Sequence, residues 1–504
     1  MNGSGGFLLV LALMLPAGGV LAAVATGGRV ARTVALGLLP AGLLLAVAIA
    51  ALIRTGGVPL EYRVGGWAPP LGVALRADGL SAVMLLVTAI VVSGIALFAK
   101  DGFPREAQGE PERRAPFVFW TLLVGLWGAL NAVWLGADLF NLYVALELLT
   151  FGAVPLVSLD GKPDTLRAAL RYLLFALVGS VLYLLGVGLV YGAAGTLDIA
   201  QLAAIPHAAP VFAVAAALMT AGLLAKTALF PLHLWLPPAH AGAPAAASAL
   251  LSALVVKGSF ILAVRLWFDA LPGAMGPAAS QLLGWLGAGA VLFGGAMALR
   301  QQRLKLMIAY STVAQIGYLF FIFPLAFGAA ASDPAAWRDV AWTGGIMQVV
   351  AHAAAKAAMF MAAGLIGEAL GHDRIAGFGG LARALPVTVF AFGLAGMSLM
   401  GLPPSGGFVA KAMLLTASVA EGQWWWAVAI LAGGLLAAGY LFRVLGPAMA
   451  AGAADAPPVA EIPMRRQAVV LGLAVFALLL GLVPLRPSPL LDVGRAAPPM
   501  VLAR

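Results

Sequence analysis

Residues Gly222-Leu-Leu-Ala-Lys226-Thr-Ala-Leu-Phe-Pro231 place one lysine and one proline at the end of an apolar run covering residues 210–231. In a soluble protein such a lysine would mark a solvated face. The chain around it argues otherwise: 504 residues, 62% hydrophobic, 10% charged, mean hydropathy +1.02. A soluble surface takes roughly a quarter of charged residues. Apolar runs of about 20 residues recur from end to end, each long enough to cross a hydrocarbon core roughly 30 Å thick. Lys226 is therefore read as a lysine inside a membrane.

Working outward, apolar runs separated by polar or Pro/Gly breaks predict an all-α polytopic membrane protein with about fourteen spans. Their bounds are 5–26, 33–53, 79–99, 116–135, 138–158, 166–193, 210–231, 243–268, 279–299, 304–327, 341–369, 385–417, 424–448 and 467–485. The fourth and fifth almost touch, and the twelfth contains Pro403-Pro404. The first run, Phe7 to Ala25, lacks a basic region before it and is followed at once by a second, so a retained helix is expected rather than a cleaved signal peptide. Odd-numbered connections and the span ends beside them hold Arg29, Arg32, Lys100, Arg105, Arg113, Arg114, Lys162, Arg300, Arg303, Lys305, Arg374 and Arg383, among others. Even-numbered ones hold only Arg54, Arg63, Arg76, Arg265 and Arg338. By the positive-inside rule the odd connections are cytoplasmic, and both termini are expected on the far side. The predicted location is a bacterial inner membrane.

Composition also excludes functions. The net charge of +9 could suggest nucleic acid, but the basic residues sit in short loops where they orient helices. The absence of cysteine removes disulfides, thiol nucleophiles, cysteine-bound zinc and iron–sulfur clusters. There is no nucleotide loop, haem signature or nucleophile elbow. No cofactor and no metal are expected, and a secondary transporter component is expected rather than an enzyme.

Five ionisable residues fall inside apolar spans. Glu147 lies in Leu142-Tyr-Val-Ala-Leu-Glu147-Leu-Leu-Thr-Phe151. Lys226 is joined by Lys257, in Ser252-Ala-Leu-Val-Val-Lys257-Gly, by Lys356, in His352-Ala-Ala-Ala-Lys356, and by Lys411. An ionisable group at the bilayer centre costs several kcal/mol, so it pairs, faces a cavity or does chemistry. The bland reading of one such lysine is a static ion pair or a snorkelling side chain. Four lysines facing one obvious carboxylate cannot all be explained so. A buried amine brought towards neutrality carries protons, and coupled sites exchange them as a group. His233, His240 and His352 can relay protons near neutrality, although a lone membrane histidine can equally be a helix contact. His352 and Lys356 are one helical turn apart. Asp138 is expected to cap the fifth span, and Trp424-Trp425-Trp426 to anchor at the interface.

Lys226 precedes Pro231, and Lys411 follows Pro403-Pro404 and Gly406-Gly407. Proline inside a helix can break it, and broken membrane helices in transporters mark sites. Proline and glycine are also simply frequent in membrane helices. Two breaks five spans apart, each near one lysine, predict two inverted five-helix repeats. The expected division is 1–115, an N-terminal three-helix segment; 116–268, the first repeat; 269–448, the second; and 449–504, a C-terminal helix and tail.

Several blocks then carry a resemblance over nearly the whole chain. They are Asp138-Leu-Phe-Asn-Leu-Tyr with Glu147, Lys226 with Phe230-Pro-Leu-His233-Leu-Trp-Leu-Pro-Pro-Ala-His240, and Ser248-Ala-Leu-Leu-Ser with Lys257. Leu304-Lys-Leu-Met-Ile-Ala-Tyr-Ser-Thr312 with Gln315-Ile-Gly-Tyr318, His352 with Lys356, and Gly401-Leu-Pro-Pro with Gly407-Phe and Lys411 complete them. The chain resembles the antiporter-like proton-pumping subunits of respiratory complex I, membrane-bound hydrogenases and Mrp-type cation/proton antiporters. The Asp138–Glu147 block and Lys411 look most like the D-type member of the Mrp antiporters. A complex I type with a long lateral helix is not expected, and another carries Glu where Lys411 stands. Pro238 departs from the family, whose members often have an acid there.

The resemblance implies fourteen helices, broken seventh and twelfth spans, and a hydrated polar axis along the membrane. It implies that Glu147 and Lys226 pair, that Lys257 lies between the halves, that His352 and Lys356 connect onward, and that Lys411 ends the axis. His233 and His240 would serve proton uptake. Partners implied are other membrane subunits of one complex, protons, Na⁺ and the lipid bilayer, with no nucleic acid. Three functions remain open: a subunit of a monovalent cation/proton antiporter, a proton-pumping subunit of a redox-driven complex, or a scaffold that kept the fold and lost transport.

Overall fold

The structure is a computed structural model that describes residues 5–102, 114–326, 334–450, 460–482 and 489–495. Arg105, Arg113 and most of the two long polar loops fall outside the described residues. The elements follow one another as α1 (Phe7–Thr26), α2 (Gly28–Gly56), β1 (Leu60–Arg63), β2 (Ala74–Ala77), α3 (Gly79–Gly102), α4 (Arg114–Leu135), α5 (Leu139–Val157) and α6 (Pro163–Ala194). A short α7 (Ile199–Ala203) leads into α8 (Pro210–Thr227), α9 (Leu236–Gly242), α10 (Ala245–Leu250) and α11 (Val256–Arg265). Then come α12 (Pro277–Arg300), α13 (Leu304–Leu319), α14 (Ile322–Ala326), α15 (Pro334–Leu370), α16 (Leu381–Ala384), α17 (Pro386–Met400), α18 (Gly406–Ala420), α19 (Trp424–Met449) and α20 (Met464–Leu479).

The chain is an all-α polytopic membrane protein. Among the described residues twelve helices are long and apolar enough to cross a bilayer. All lie where the sequence places spans. The twelfth expected span differs: it is two helices of 15 residues, α17 and α18, separated at Gly401–Ser405. The fourteenth is a helix of 16 residues, α20. Asp138 caps α5, accepting from Phe140 N and Asn141 N, and so separates two apolar runs that nearly merge in the sequence.

Burial is graded across the bundle. The outer faces of α1, α2 and α6 carry exposed leucines and valines, whereas the segment Ala245–Ala270 and α15 are almost wholly enclosed. These are the two helices that hold Lys257, His352 and Lys356. In lipid, helices associate by close packing and interhelical hydrogen bonds, and small residues allow both. Gly222 and Gly179 illustrate this: a Cβ on Gly222 would stand 2.3 Å from Gly179 O, so α6 and α8 touch backbone to backbone.

Two features were not legible in the sequence. An antiparallel hairpin, β1–β2, pairs Leu60 with Ala77 and Arg63 with Ala74. Residues 489–495 fold back onto it, Val493 O accepting from Gly79 N and Gly494 O from Arg76. The tryptophan triplet also differs from expectation. Trp424 is exposed, but Trp426 is buried against Trp285 and Phe321 and donates to Gln423. Two residues along the helix the side chain therefore faces the protein interior.

Candidate functional site

Both expected breaks are present. α8 stops at Thr227 because Ala228 adopts φ 59°, a left-handed conformation unusual for a residue with a Cβ. The chain resumes helix only at Leu236. α17 stops at Gly401, φ 84°, and resumes at Gly406 under a Ser405 cap that accepts from Phe408 N.

At the first break Lys226 Nζ lies 2.9 Å from Glu147 Oε1 and 3.1 Å from Thr150 Oγ1. Ser180 of α6 donates to the same carboxylate. Lys226 can reach across because Gly179 and Gly222 bring α6 and α8 together; a Cβ on Gly179 would stand 3.1 Å from the Lys226 side chain. Trp235 Nε1 covers the carbonyl of Ala225 at 2.9 Å, so the broken end does not compete for the lysine.

The next polar group inward is Thr227, whose hydroxyl is 2.8 Å from that of Ser259 on α11. Lys257 is fully buried and donates to Ser252 O in its own helix. A π turn at Leu251–Val255 lies between α10 and α11, and Val256 N bonds Leu251 O five residues back. Such turns shift the helical register, often at functional sites. Here the shifted helix offers its lysine a carbonyl rather than a carboxylate.

From there α13 carries the contacts. Thr312 Oγ1 lies 3.0 Å from Ser252 Oγ. Lys356 of α15 donates to Ser311 and, at 3.0 Å, to Ile308 O. Gln315 accepts from Gln348 of α15 at 3.0 Å and donates to Leu399 O at 3.0 Å. Lys411 donates to that same Leu399 carbonyl, and its Nζ stands 4.2 Å from the centre of the Tyr318 ring. Lys226, Lys257, Lys356 and Lys411 are all at most 8% exposed. Of these four, only Lys226 has an ion-pair partner among the described residues; the others bond backbone carbonyls and a hydroxyl.

His352 is buried on α15 one turn before Lys356, and neither ring nitrogen has a protein hydrogen-bond partner. His240 is likewise buried and unpartnered, stacked on Phe360 at 4.6 Å. His233 packs between Phe230 and Phe293, 5.6 and 5.1 Å away, and among the described residues no hydrogen bond joins it to a lysine. The structure thus brings Glu147 and Lys226 into direct contact, joins Lys257, Lys356 and Lys411 through α13, and leaves His233 to one side.

Sequence reading assigned no role to Ser180, Thr150, Ser259, Ser311, Thr312, Gln315 or Gln348. A signal existed for part of this set. Ser311, Gln315 and Tyr318 recur at one-turn spacing, with Thr312 one turn before Gln315, in a helix whose other polar residues are Lys305 and Tyr310, which puts them on one face.

Two cavities flank the site. One, about 530 Å³, opens among residues of odd-numbered connections and is lined by Lys305, Glu368, Asp373 and Arg466. The other, about 510 Å³, opens among residues of even-numbered ones and is lined by Glu61, Arg76, Asp78, Asp198, Arg265 and Asp269. Arg265, expected only as a loop charge, is clamped here. It donates to Asp78 through both terminal nitrogens, and to Asp269 at 2.9 Å. Burial raises the Asp78 carboxyl, but Arg265 outweighs it and holds it below the ordinary carboxylate value. Among the described residues no cluster of three or more His, Asp or Glu side chains converges as a metal site.

Comparison with known proteins agrees with this architecture. Residues 136–437 match the family described as NADH:quinone oxidoreductase/Mrp antiporter, TM. The chain is 35% identical to NADH-quinone oxidoreductase subunit N of Desulforudis audaxviator, over 83% of this chain and 81% of that one. It is 29% identical to the D component of the Na(+)/H(+) antiporter of Bacillus subtilis, over 81% and 79%. A solved structure of the Mrp complex from Dietzia sp. superposes with a TM-score of 0.85 at 26% identity, covering 95% of each chain. The relatives therefore include antiporter subunits and subunits of redox complexes alike. A membrane chain with this fold, matched over these residues and at this identity, belongs to the NADH:quinone oxidoreductase/Mrp antiporter transmembrane family.

Proposed function

We propose that this chain is the proton-translocating subunit of a multisubunit monovalent cation/proton antiporter, with Na⁺ as the exchanged cation. One observation carries the reading: Glu147 pairs with Lys226, whose neighbour Thr227 bonds Ser259 on the helix of Lys257, and polar contacts run on from that helix through α13 to Lys356 and Lys411. A proton moves along Glu147, Lys226, Lys257, His352, Lys356 and Lys411. Loading Lys226 tightens its pair with Glu147; unloading releases the carboxylate, and that change gates transfer to Lys257. His240, unpartnered in the interior, supports proton uptake from the cavity beside Lys305, and His233 is assigned a lesser part there. The inverted repeats 116–268 and 269–448, the fourteen crossings, the inner-membrane location and the outward termini belong to the same proposal. The two matching breaks support the repeats. The solved neighbours include an Mrp complex and an archaeal respiratory membrane complex, which supports membrane partners.

A second reading is a proton-pumping subunit of a redox-driven complex, favoured by the identity to a subunit N. Cation-dependent proton movement in inverted vesicles carrying the complete gene cluster separates the two. Na⁺-dependent dequenching of a pH dye, lost in Lys226→Ala and Lys411→Ala, supports the antiporter. Pumping that needs an added electron donor supports the redox reading. A fully active Lys226→Ala overturns the relay in either setting.

A further inference from the structure

The carbonyl of Leu399, exposed where α17 ends, accepts from two side chains: Lys411 and Gln315. Gln315 and Gln348 are at most 2% exposed. Gln348 Nε2 donates to Gln315 Oε1 and so fixes which end of the Gln315 amide faces the break. Gln348 and Lys356 lie two turns apart on α15, and each makes a rung to α13, Gln348 to Gln315 and Lys356 to Ser311. His352 sits between those rungs in sequence, with neither nitrogen partnered.

An amide is uncharged at any pH in the working range, so Gln315 bonds Leu399 O whether or not Lys411 holds its proton. A lysine that swings away from its only acceptor strands a buried carbonyl, which is unfavourable. A second donor on that carbonyl removes the obstacle. We propose that Gln315, held by Gln348, is a positioning residue of the second break: it keeps Leu399 O satisfied while Lys411 turns towards His352 to take or pass a proton. The inference rests on the relay reading and names the device that frees its last member.

Around Lys411 the titratable groups are Tyr318 on α13 and His352 on α15, while Tyr440 on α19 faces Gln315 and Ser311. α14 and α17 carry no charged residue. Arg465 and Arg466 of α20 are engaged by Asp101 and Glu368. Among the described residues Lys411 has no ion-pair partner, and a carboxylate at position 315 would give it one.

The test uses the complete complex in inverted vesicles, with assembly checked by co-purification. Gln315→Leu should assemble and slow transport about tenfold, the scale of one unsatisfied buried acceptor. Gln315→Glu should hold the amine charged and move the alkaline limb of the pH–rate profile up by about one unit. Wild-type rates and profiles in both variants, with Lys411→Ala inactive, overturn the positioning role and leave the relay standing. Active Lys226→Ala and Lys411→Ala overturn the relay and this inference together. If Gln315→Leu does not assemble, Gln315→Asn, whose amide is one methylene short of Leu399 O, decides in its place: slowed transport supports the positioning role and a wild-type rate overturns it.

Discussion

The two broken helices solve one problem in opposite ways. Each ends in a left-handed residue, Ala228 or Gly401, and leaves backbone carbonyls that the missing turn would have covered. At the first break an indole, Trp235, takes the Ala225 carbonyl, and the lysine is released to a carboxylate. At the second the lysine itself takes the Leu399 carbonyl and lies over a tyrosine ring. The first lysine is held by a charge, the second by dipoles and a ring. A charge partner favours the loaded amine strongly, whereas a carbonyl serves loaded and unloaded amines more evenly. One site is suited to gating, the other to release.

The comparison is broken most directly by removing the first lysine. Lys226→Ala should abolish transport and also destabilise the protein by about 3–5 kcal/mol, because it leaves Glu147 without its partner inside the bundle. A Glu147→Gln/Lys226→Met double variant should recover thermal stability in detergent but not transport. Recovery of transport would show that the pair only holds the fold. Lys411→Ala should reduce transport at least 100-fold yet cost only about 1 kcal/mol of stability, since it strands no charge. Equal thermal losses for Lys226→Ala and Lys411→Ala would erase the distinction between the breaks.

Smaller effects test the backbone that sets the two geometries. A Cβ on Gly407 would lie 1.9 Å from Ser398 O. Gly407→Ala should therefore force α17 and α18 apart, at about 1–3 kcal/mol, and lower transport by an amount read in the same vesicle assay. The smallest changes are reciprocal. Ala228→Gly should stabilise by about 1 kcal/mol, as the left-handed conformation no longer carries a Cβ. Gly401→Ala should cost a similar amount and also crowd Lys411, whose Cδ would stand 2.8 Å from the new methyl. Melting temperatures moving in the same direction would show that the two breaks are not equivalent in backbone terms.

How much was legible follows from what each signal depends on. Apolar length alone marks membrane spans, because the bilayer imposes one thickness on every helix. The intramembrane lysines were visible because each is a violation of that environment. Apart from the Glu147–Lys226 pair that the resemblance implies, their partners were not visible. Ser180, Ser259 and Gln348 are unremarkable polar residues in their own helices and acquire meaning only from what stands opposite. The clamp of Arg265 was missed for the same reason: Asp78 lies 187 residues away in the chain. The hairpin β1–β2 was missed because four-residue strands leave almost no periodicity to read.

By itself the sequence determined that this chain crosses a membrane many times, where its helices lie, and which five ionisable residues and two breaks interrupt them. Those features depend on local composition, and a bilayer reads composition directly. Only the tertiary structure decided that the three lysines other than Lys226 meet carbonyls, and that α13 gathers Ser311, Thr312 and Gln315 against three other helices. Which acceptor a buried amine finds depends on how closely glycines let two backbones approach and on register shifts, and those are properties of the packed bundle rather than of any one helix.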